Sequence, residues 1–373
     1  MKLRPLLLLA ALALAGYGGY RWVGSQRIAI AAQKTQALEQ AFQQGTANPL
    51  PGPYLEAGNP YELQFEVTQL LGKPGALIPD GKLLTQDGKT WRLFDRDGVL
   101  LETRVADATY LSIDGKLYSF TEDASKSGTV TYSDGDGQSR KVELRPEASG
   151  LVENQDFAIH GFGYSSRVSQ PVGRLEYVGF DLEPHSIPIN SGRSIFFSTW
   201  NADLGDIGYA TDSPRKLVFF RNGQLTYEDL PADSLFGNIV GVGSVVGFNA
   251  ELSRRIRVPY VRQGPNQFAP LLVPPDTISA SVSALNANGS YFLRTWHREE
   301  PISPPKKPPY VLGFYYVSNG KYYDVHQLIE VLFGDQPVDT GKIDETLLDE
   351  QGDIVATTDR GTFLLKPIPH VDP

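Results

Sequence analysis

The side chains that could transfer protons or hold a metal are few. Histidine occurs at His160, His185, His297, His326 and His370, and no two stand at a ligand spacing such as H-E-x-x-H. His326 follows Asp324 by two, which on a strand puts both on one side; an ordinary hydrogen-bonded surface pair is the simpler reading. Cysteine is absent, which removes disulfides, thiolate nucleophiles and cysteine-ligated zinc or iron–sulfur centres. No G-x-S-x-G elbow supports an esterase. Gly241-Val-Gly-Ser-Val-Val-Gly247 has the glycine density of a dinucleotide loop, yet lacks the third glycine at the right offset and a following helix. Close glycines of this kind read as a strand in a tight place.

Two acidic turns, Asp134-Gly-Asp136-Gly and Asp203-Leu-Gly-Asp206-Ile-Gly, invite comparison with calcium loops. Calcium requires several convergent oxygens, and neither run has the spaced ligands and closing Glu of an EF-hand. They read as hairpin turns, and no metal or cofactor is expected. The remaining ligand candidates are Trp200 with Asp203 and Asp206, and Trp296 with His297, Glu299 and Glu300. Flat rings beside carboxylates can stack on sugar faces while the acids hold hydroxyls; rings alternating along strands also simply fill sheet cores. A glycosidase needs two acids a set distance apart across a cleft, which sequence does not display. His297 to Tyr310 (HREEPISPPKKPPY) carries five prolines, too stiff to join a sheet ladder. It reads as a loop offered to a partner or as a spacer.

What positions these residues is a chain of 373 residues with 37 glycines and 27 prolines, a composition of many turns and few long helices. Its net charge is -9; Lys2, Arg4, Arg21, Arg27 and Lys34 against Glu39 make the stretch up to Gly45 +4, so the rest carries -13. A body that acidic repels phosphate backbones, and no nucleic-acid partner is expected.

Residues 1–24 open with Met-Lys-Leu-Arg-Pro and an almost pure Leu/Ala run from Leu6 to Gly16, the pattern an export machinery reads. Ala13-Leu14-Ala15 before Gly16 is a small-x-small cleavage site. The apolar run also continues through Tyr17, Tyr20 and Trp22 to Val23, barely long enough to span a bilayer as an anchor. Cleaved signal and anchor both stay open. Either places the chain outside the cytoplasm (periplasmic or secreted), with the membrane touched only through residues 6–23.

Residues 25–60 follow as helix and linker. Ser25 caps, Gly45 ends, and Ile28, Ala31, Ala32, Leu38, Ala41 and Phe42 share a face of the one convincing helix. It reads as a stalk, a coiled-coil seam or a helix packed on the body. Thr46 to Pro60, with four prolines, is semi-extended by composition.

From residue 61 to 373 the chain reads as hairpins. Asx-Gly pairs begin at Asp80, Asp87, Asp97, Asp114, Asp134, Asp136, Asn222, Asn288 and Asn319, and are expected to form type I′ turns with both central residues at positive φ. One series of turns falls near Gly81, Gly115, Gln155, Gly205, Gly241, Gly289 and Gly352; a second near Gly98, Gly137, Glu183, Gly223, Gly264, Gly320 and Gly361. The best internal matches are KLVFFRNGQLTYEDL (216–230), RVPYVRQGPNQFAPLL (257–272) and VLGFYYVSNGKYYDVHQL (311–328), each two strands about a polar turn. Two hairpins per unit and steps mostly of 34 to 50 residues predict an all-β chain, a β-propeller of about seven (six to eight) four-stranded blades, preceded by the apolar segment and helix.

Val282-Ser-Ala-Leu-Asn-Ala-Asn-Gly-Ser, Leu348-Asp-Glu-Gln-Gly-Asp-Ile-Val-Ala with its following Gly-Thr-Phe-Leu-Leu-Lys-Pro, and Ile239-Val-Gly resemble the HAF-type extracellular β-propeller repeat, chiefly over 203–369. In place of its His-Ala-Phe stand Arg257-Val-Pro-Tyr and Gly313-Phe-Tyr. The resemblance implies an exported propeller and assigns no catalytic residue. The function expected is a non-enzymatic binding or scaffold module of the bacterial cell envelope, with a protein or glycan partner. Two other readings are a carbohydrate-active or lactonase-like enzyme with acids in the funnel, and a structural subunit of an envelope assembly.

Overall fold

Lys216–Arg221 shows why the strands assemble as they do: four consecutive residues, Leu217, Val218, Phe219 and Phe220, are all buried. A strand with one wet face would alternate; one covered on both faces reads as a continuous apolar run. The computed structural model describes residue 30 and residues 32–368, except 78–80, 112–114, 123–128, 134–137, 144–156, 161–162, 167–173, 179–183, 189–194, 202–204, 211–215, 222–223, 232–235, 243–244, 299–309, 334–345 and 359–360, and only the backbone over 157–201.

Among the described residues the strands form seven sheets, six of four strands and one of five. Five of them take four successive strands: Lys73–Leu77 to Leu100–Val105, Ala108–Leu111 to Ser139–Glu143, Phe157–His160 to Pro184–Pro188, Ile195–Asn201 to Gln224–Asp229, and Phe236–Val242 to Gln267–Pro270. Another runs from Thr277–Leu285 through Tyr291–Arg298 and Tyr310–Ser318 to Lys321–Asp324. The last joins both chain ends: Thr346–Leu348, Ile354–Thr358 and Gly361–Pro367 are completed by Phe65–Leu70, from Phe65↔Pro367 to Leu70↔Thr362. The first strand of each sheet touches the first strand of the next until Thr346–Leu348 returns to Lys73–Leu77. That closed ring of radially stacked antiparallel sheets is a β-propeller.

Because strands alternate in direction, the first–second and third–fourth turns of every sheet lie on one face of the ring. The described members of the two glycine series fall on that face, with one correction: Gly361 opens the third strand of the closing sheet and so sits at its opposite end. Gly137, Gln155, Glu183 and Gly223 lie outside the described residues. The turn type also differs. Asn319 and Gly320 both have positive φ, as a type I′ turn requires, but neither Asp97 nor Asn288 does. Asp95, Asn286 and Asp349 instead close four-residue turns through a side-chain oxygen that accepts the N–H four residues on, from Val99, Ser290 and Asp353. Only Gly98, Gly289 and Gly352 are left-handed there. At Asp87-Gly88 the glycine alone is left-handed. Asp80, Asp114, Asp134, Asp136 and Asn222 lie outside the described residues.

The motif 311–328 needs a further correction. Its second strand stops at Asp324, and Val325–Phe333 is a helix. The Asp324 carboxylate accepts the N–H of His326 and of Gln327 at 2.8 and 3.3 Å, capping that helix. Asp324 and His326 are therefore no strand-face pair. Val325 and Leu328 pack into the cluster of Phe292, Phe314, Tyr316 and Phe363.

Candidate functional site

The chain's own residues 38–57 are seated on the propeller. Residues 32–43 are helical. Gly45, at φ 70°, ends the helix, and Thr46 N–H returns to the Ala41 carbonyl at 2.8 Å. Of the expected apolar stripe, Leu38, Ala41 and Phe42 meet the propeller, against Ile256, Ile278, Leu252 and Trp296. Ala32 is exposed, and Ile28 and Ala31 lie outside the described residues. The Phe42 ring meets the Trp296 ring edge-on at 6.4 Å, and the Arg255 guanidinium lies 5.7 Å from the Phe42 centroid. Arg255 also stands 4.0 Å from Glu39.

The proline-rich stretch that follows is extended and strapped down. Leu50 N–H donates to the Thr277 carbonyl at 2.7 Å, and Leu55 N–H to that of Val273 at 3.0 Å. Both side chains are buried, with Val273, Tyr291 and Val317. Glu56–Ala57 then pairs in parallel with Lys321–Tyr322, adding a fifth strand to the outer edge of that sheet. Gly58 follows flat on the Tyr323 ring; a Cβ there would stand 2.2 Å from the ring. One face of the propeller thus takes a helix and one blade edge takes a strand, two general modes of peptide recognition.

Trp296 and His297, neighbours on one strand, face opposite sides of the sheet. Trp296 is half-buried beneath Phe42, so its ring is occupied by the helix. The His297 Nε2 lies 2.6 Å from Thr295 Oγ1, and its ring meets that of Tyr315 edge-on at 5.7 Å. Burial pulls the His297 pKa below its ordinary value, against an opposing hydrogen bond to the Pro275 backbone and the charge of Asp276. Burial, with Asp324 and Tyr322, lifts Tyr315 to about 12. Trp200 and Asp206 are cross-strand partners in another sheet, two positions round the ring from Trp296. Asp203, Glu299 and Glu300 lie outside the described residues, as do most of the proline-rich loop and the Asp134–Asp136 turn. Among the described residues no group of three or more His, Cys, Asp or Glu is placed to hold a metal ion.

Two two-pronged ion pairs join one sheet to the next. Arg262 reaches across to Glu228 in a two-pronged pair, Nε–Oε2 3.0 Å and Nη2–Oε1 2.6 Å, with its guanidinium 5.1 Å from the Phe219 centroid. Arg96 does the same to buried Asp353, at 2.8 and 3.2 Å. Beside it, burial and the charge of Asp353 push Asp349 up to about 7, and Asp349 Oδ2 is buried with no hydrogen-bond partner. Sequence gave no sign of these bridges, because their partners lie far apart along the chain.

No protein-family model matches the chain, and no curated protein matches it in sequence. Among solved structures it is similar to a streptogramin B lyase, at 12% identity and a TM-score of 0.48 over 83% of this chain and 100% of that one. It is also similar to the Cps50 (Swd1) β-propeller domain of Myceliophteria thermophila, at 11% identity and 0.46 over 82% and 100%. These neighbours are β-propellers, in keeping with the sheet topology; at such identities nothing of their activities carries over.

Proposed function

We propose that this chain is an exported binding or scaffold protein of a bacterial cell envelope, held outside the cytoplasm through residues 1–24. On this reading it recognises a protein partner through its propeller loops. The observation that carries the reading is the seating of residues 38–57: this propeller already holds a peptide on one face and along one edge. The basic start and apolar run at the N-terminus support export. A glycan site built on Trp296 has less support, since Phe42 occupies that ring.

Two measurements test it on the full chain in its host. External protease applied to spheroplasts should degrade the propeller; complete protection would place it in the cytoplasm and overturn the reading. A photo-crosslinking residue at exposed Arg254, on the loop beside the docked helix, should trap a discrete envelope protein. Crosslinks confined to lipid or glycan would sink the protein-partner reading.

A further inference from the structure

Outer strands of a propeller are open edges, and most of those whose side chains are described are blunted. The exposed positions are Glu66 and Gln69 on Phe65–Leu70, Gln224, Thr226 and Asp229 on Gln224–Asp229, and Gln267 and Pro270 on Gln267–Pro270. Lys321–Asp324 is covered by Glu56–Ala57. Leu100–Val105 is different. It pairs only with Thr90–Phe94, yet Leu100, Leu101 and Val105, with Val99 just before it, are 48, 51, 73 and 57% exposed.

The same strand is complementary to itself. Laid antiparallel against a copy about a two-fold axis through Thr103, it sets Glu102 opposite Arg104, Leu101 opposite Val105, and Thr103 opposite Thr103. Opposite charges and apolar pairs directly across an antiparallel ladder are the stabilising combinations. Within one chain Arg104 Nη2 already donates to Glu102 Oε1 at 2.7 Å, and its Nη1 to the Leu117 carbonyl at 3.2 Å, so both charges are held in place along the edge. A register slip leaves Leu101 as an extra residue, and from Glu102 to Val105 the strand is regular. We propose that a second copy of this chain pairs on Leu100–Val105, edge to edge, in an isologous dimer.

The chain contains no cysteine, so Thr103→Cys in the full chain, purified in detergent, can form only one disulfide, across the two-fold axis. Under mild oxidation it should give a covalent dimer many-fold faster than Thr226→Cys, an exposed position on another outer strand. By light scattering the parent should dimerise with rising concentration. Glu102→Arg and Arg104→Glu should each weaken that dimer about tenfold or more, the like charges now facing across the axis. Mixing the two variants should restore dimers as mixed pairs, which the ion pair within one chain would not produce. If either charge variant fails to fold, the cysteine pair of measurements decides. A parent that stays monomeric at tens of micromolar, equal disulfide rates at 103 and 226, or mixtures that remain monomeric would each overturn the dimer. So would crosslinking from position 103 that captures a different protein instead of a second copy.

Discussion

Both ends of the Asn249 amide hold one residue of the neighbouring sheet: Nδ2 donates to the Val282 carbonyl at 2.8 Å, and Oδ1 accepts the Val282 N–H at 2.7 Å. Val282 lies on an innermost strand, beside a slip in its own pairing, where no further strand exists to take those groups. Asn249, wholly buried, stands in for that missing strand. Asn249→Ala leaves two buried backbone groups unpaired, and should lower stability by about 2–4 kcal/mol in urea unfolding. Asn249→Asp, which removes the donor, should not rescue it.

Gly247 is needed on the same seam for want of room. A Cβ there would stand 2.9 Å from Leu285 Cδ2 and 3.2 Å from Val282 Cγ1. Gly247→Ala should cost about 1–3 kcal/mol by overpacking. Leu285→Ala empties that space, so the double variant should lose less than the two single losses together, a coupling that a double-mutant cycle measures.

Asp349 gives the fold a slope against pH. Its folded value of about 7, against an ordinary 3.8, means that the folded chain binds this proton more tightly than the unfolded one. Its contribution to stability is therefore full at the acid end, falls as pH rises from about 4 to about 7, and stays lost above that. Asp349→Asn should flatten this part of the slope and be more stable than the parent at pH 8. Urea midpoints of both chains between pH 4 and 8 check it, and parallel curves would refute it.

His297 works in the opposite sense. Its depressed value means that the folded chain resists protonation, so its contribution is lost as pH falls below the ordinary 6.5. The ring resonances of His297, followed by NMR, should titrate below the ordinary 6.5.

Phe42 fastens the helix through one ring. Phe42→Ala should release the helix of residues 32–43 without unfolding the sheets, because Leu50, Leu55 and Glu56–Ala57 are fastened separately and, in the Phe42 cluster, Ile278 alone lies on an innermost strand. Limited trypsin digestion should then cut at Lys34 several-fold faster, while the propeller's melting temperature shifts little.

Local chemistry was legible in the sequence wherever a short stretch decides the outcome. The places of the turns at Gly289 and Gly352, the helix stop at Gly45 and the paired strands of 216–230 depend on φ preferences and hydrogen bonds a few residues long. Even there the turns at Asp97-Gly98 and Asn288-Gly289 are not the type I′ expected, because the Asp95 and Asn286 side chains close those loops from two residues further back. The aromatic match at 311–328 hid a helix for the same reason: nothing in Tyr322-Tyr323-Asp324 separates a continuing strand from a strand that ends on a capping carboxylate.

By itself, the sequence determined the four-strand rhythm, the recurrent glycine-marked turns and the acidic, cysteine-free character of the body. Tertiary structure alone decided that Phe65–Leu70 closes the ring with Gly361–Pro367, that Trp296 lies beneath Phe42 while its neighbour His297 faces away, and that Asn249 serves the backbone of another sheet. The reason is range: turns and periodicity are set by neighbours along the chain, whereas burial and pairing depend on which distant surfaces the closed ring brings together.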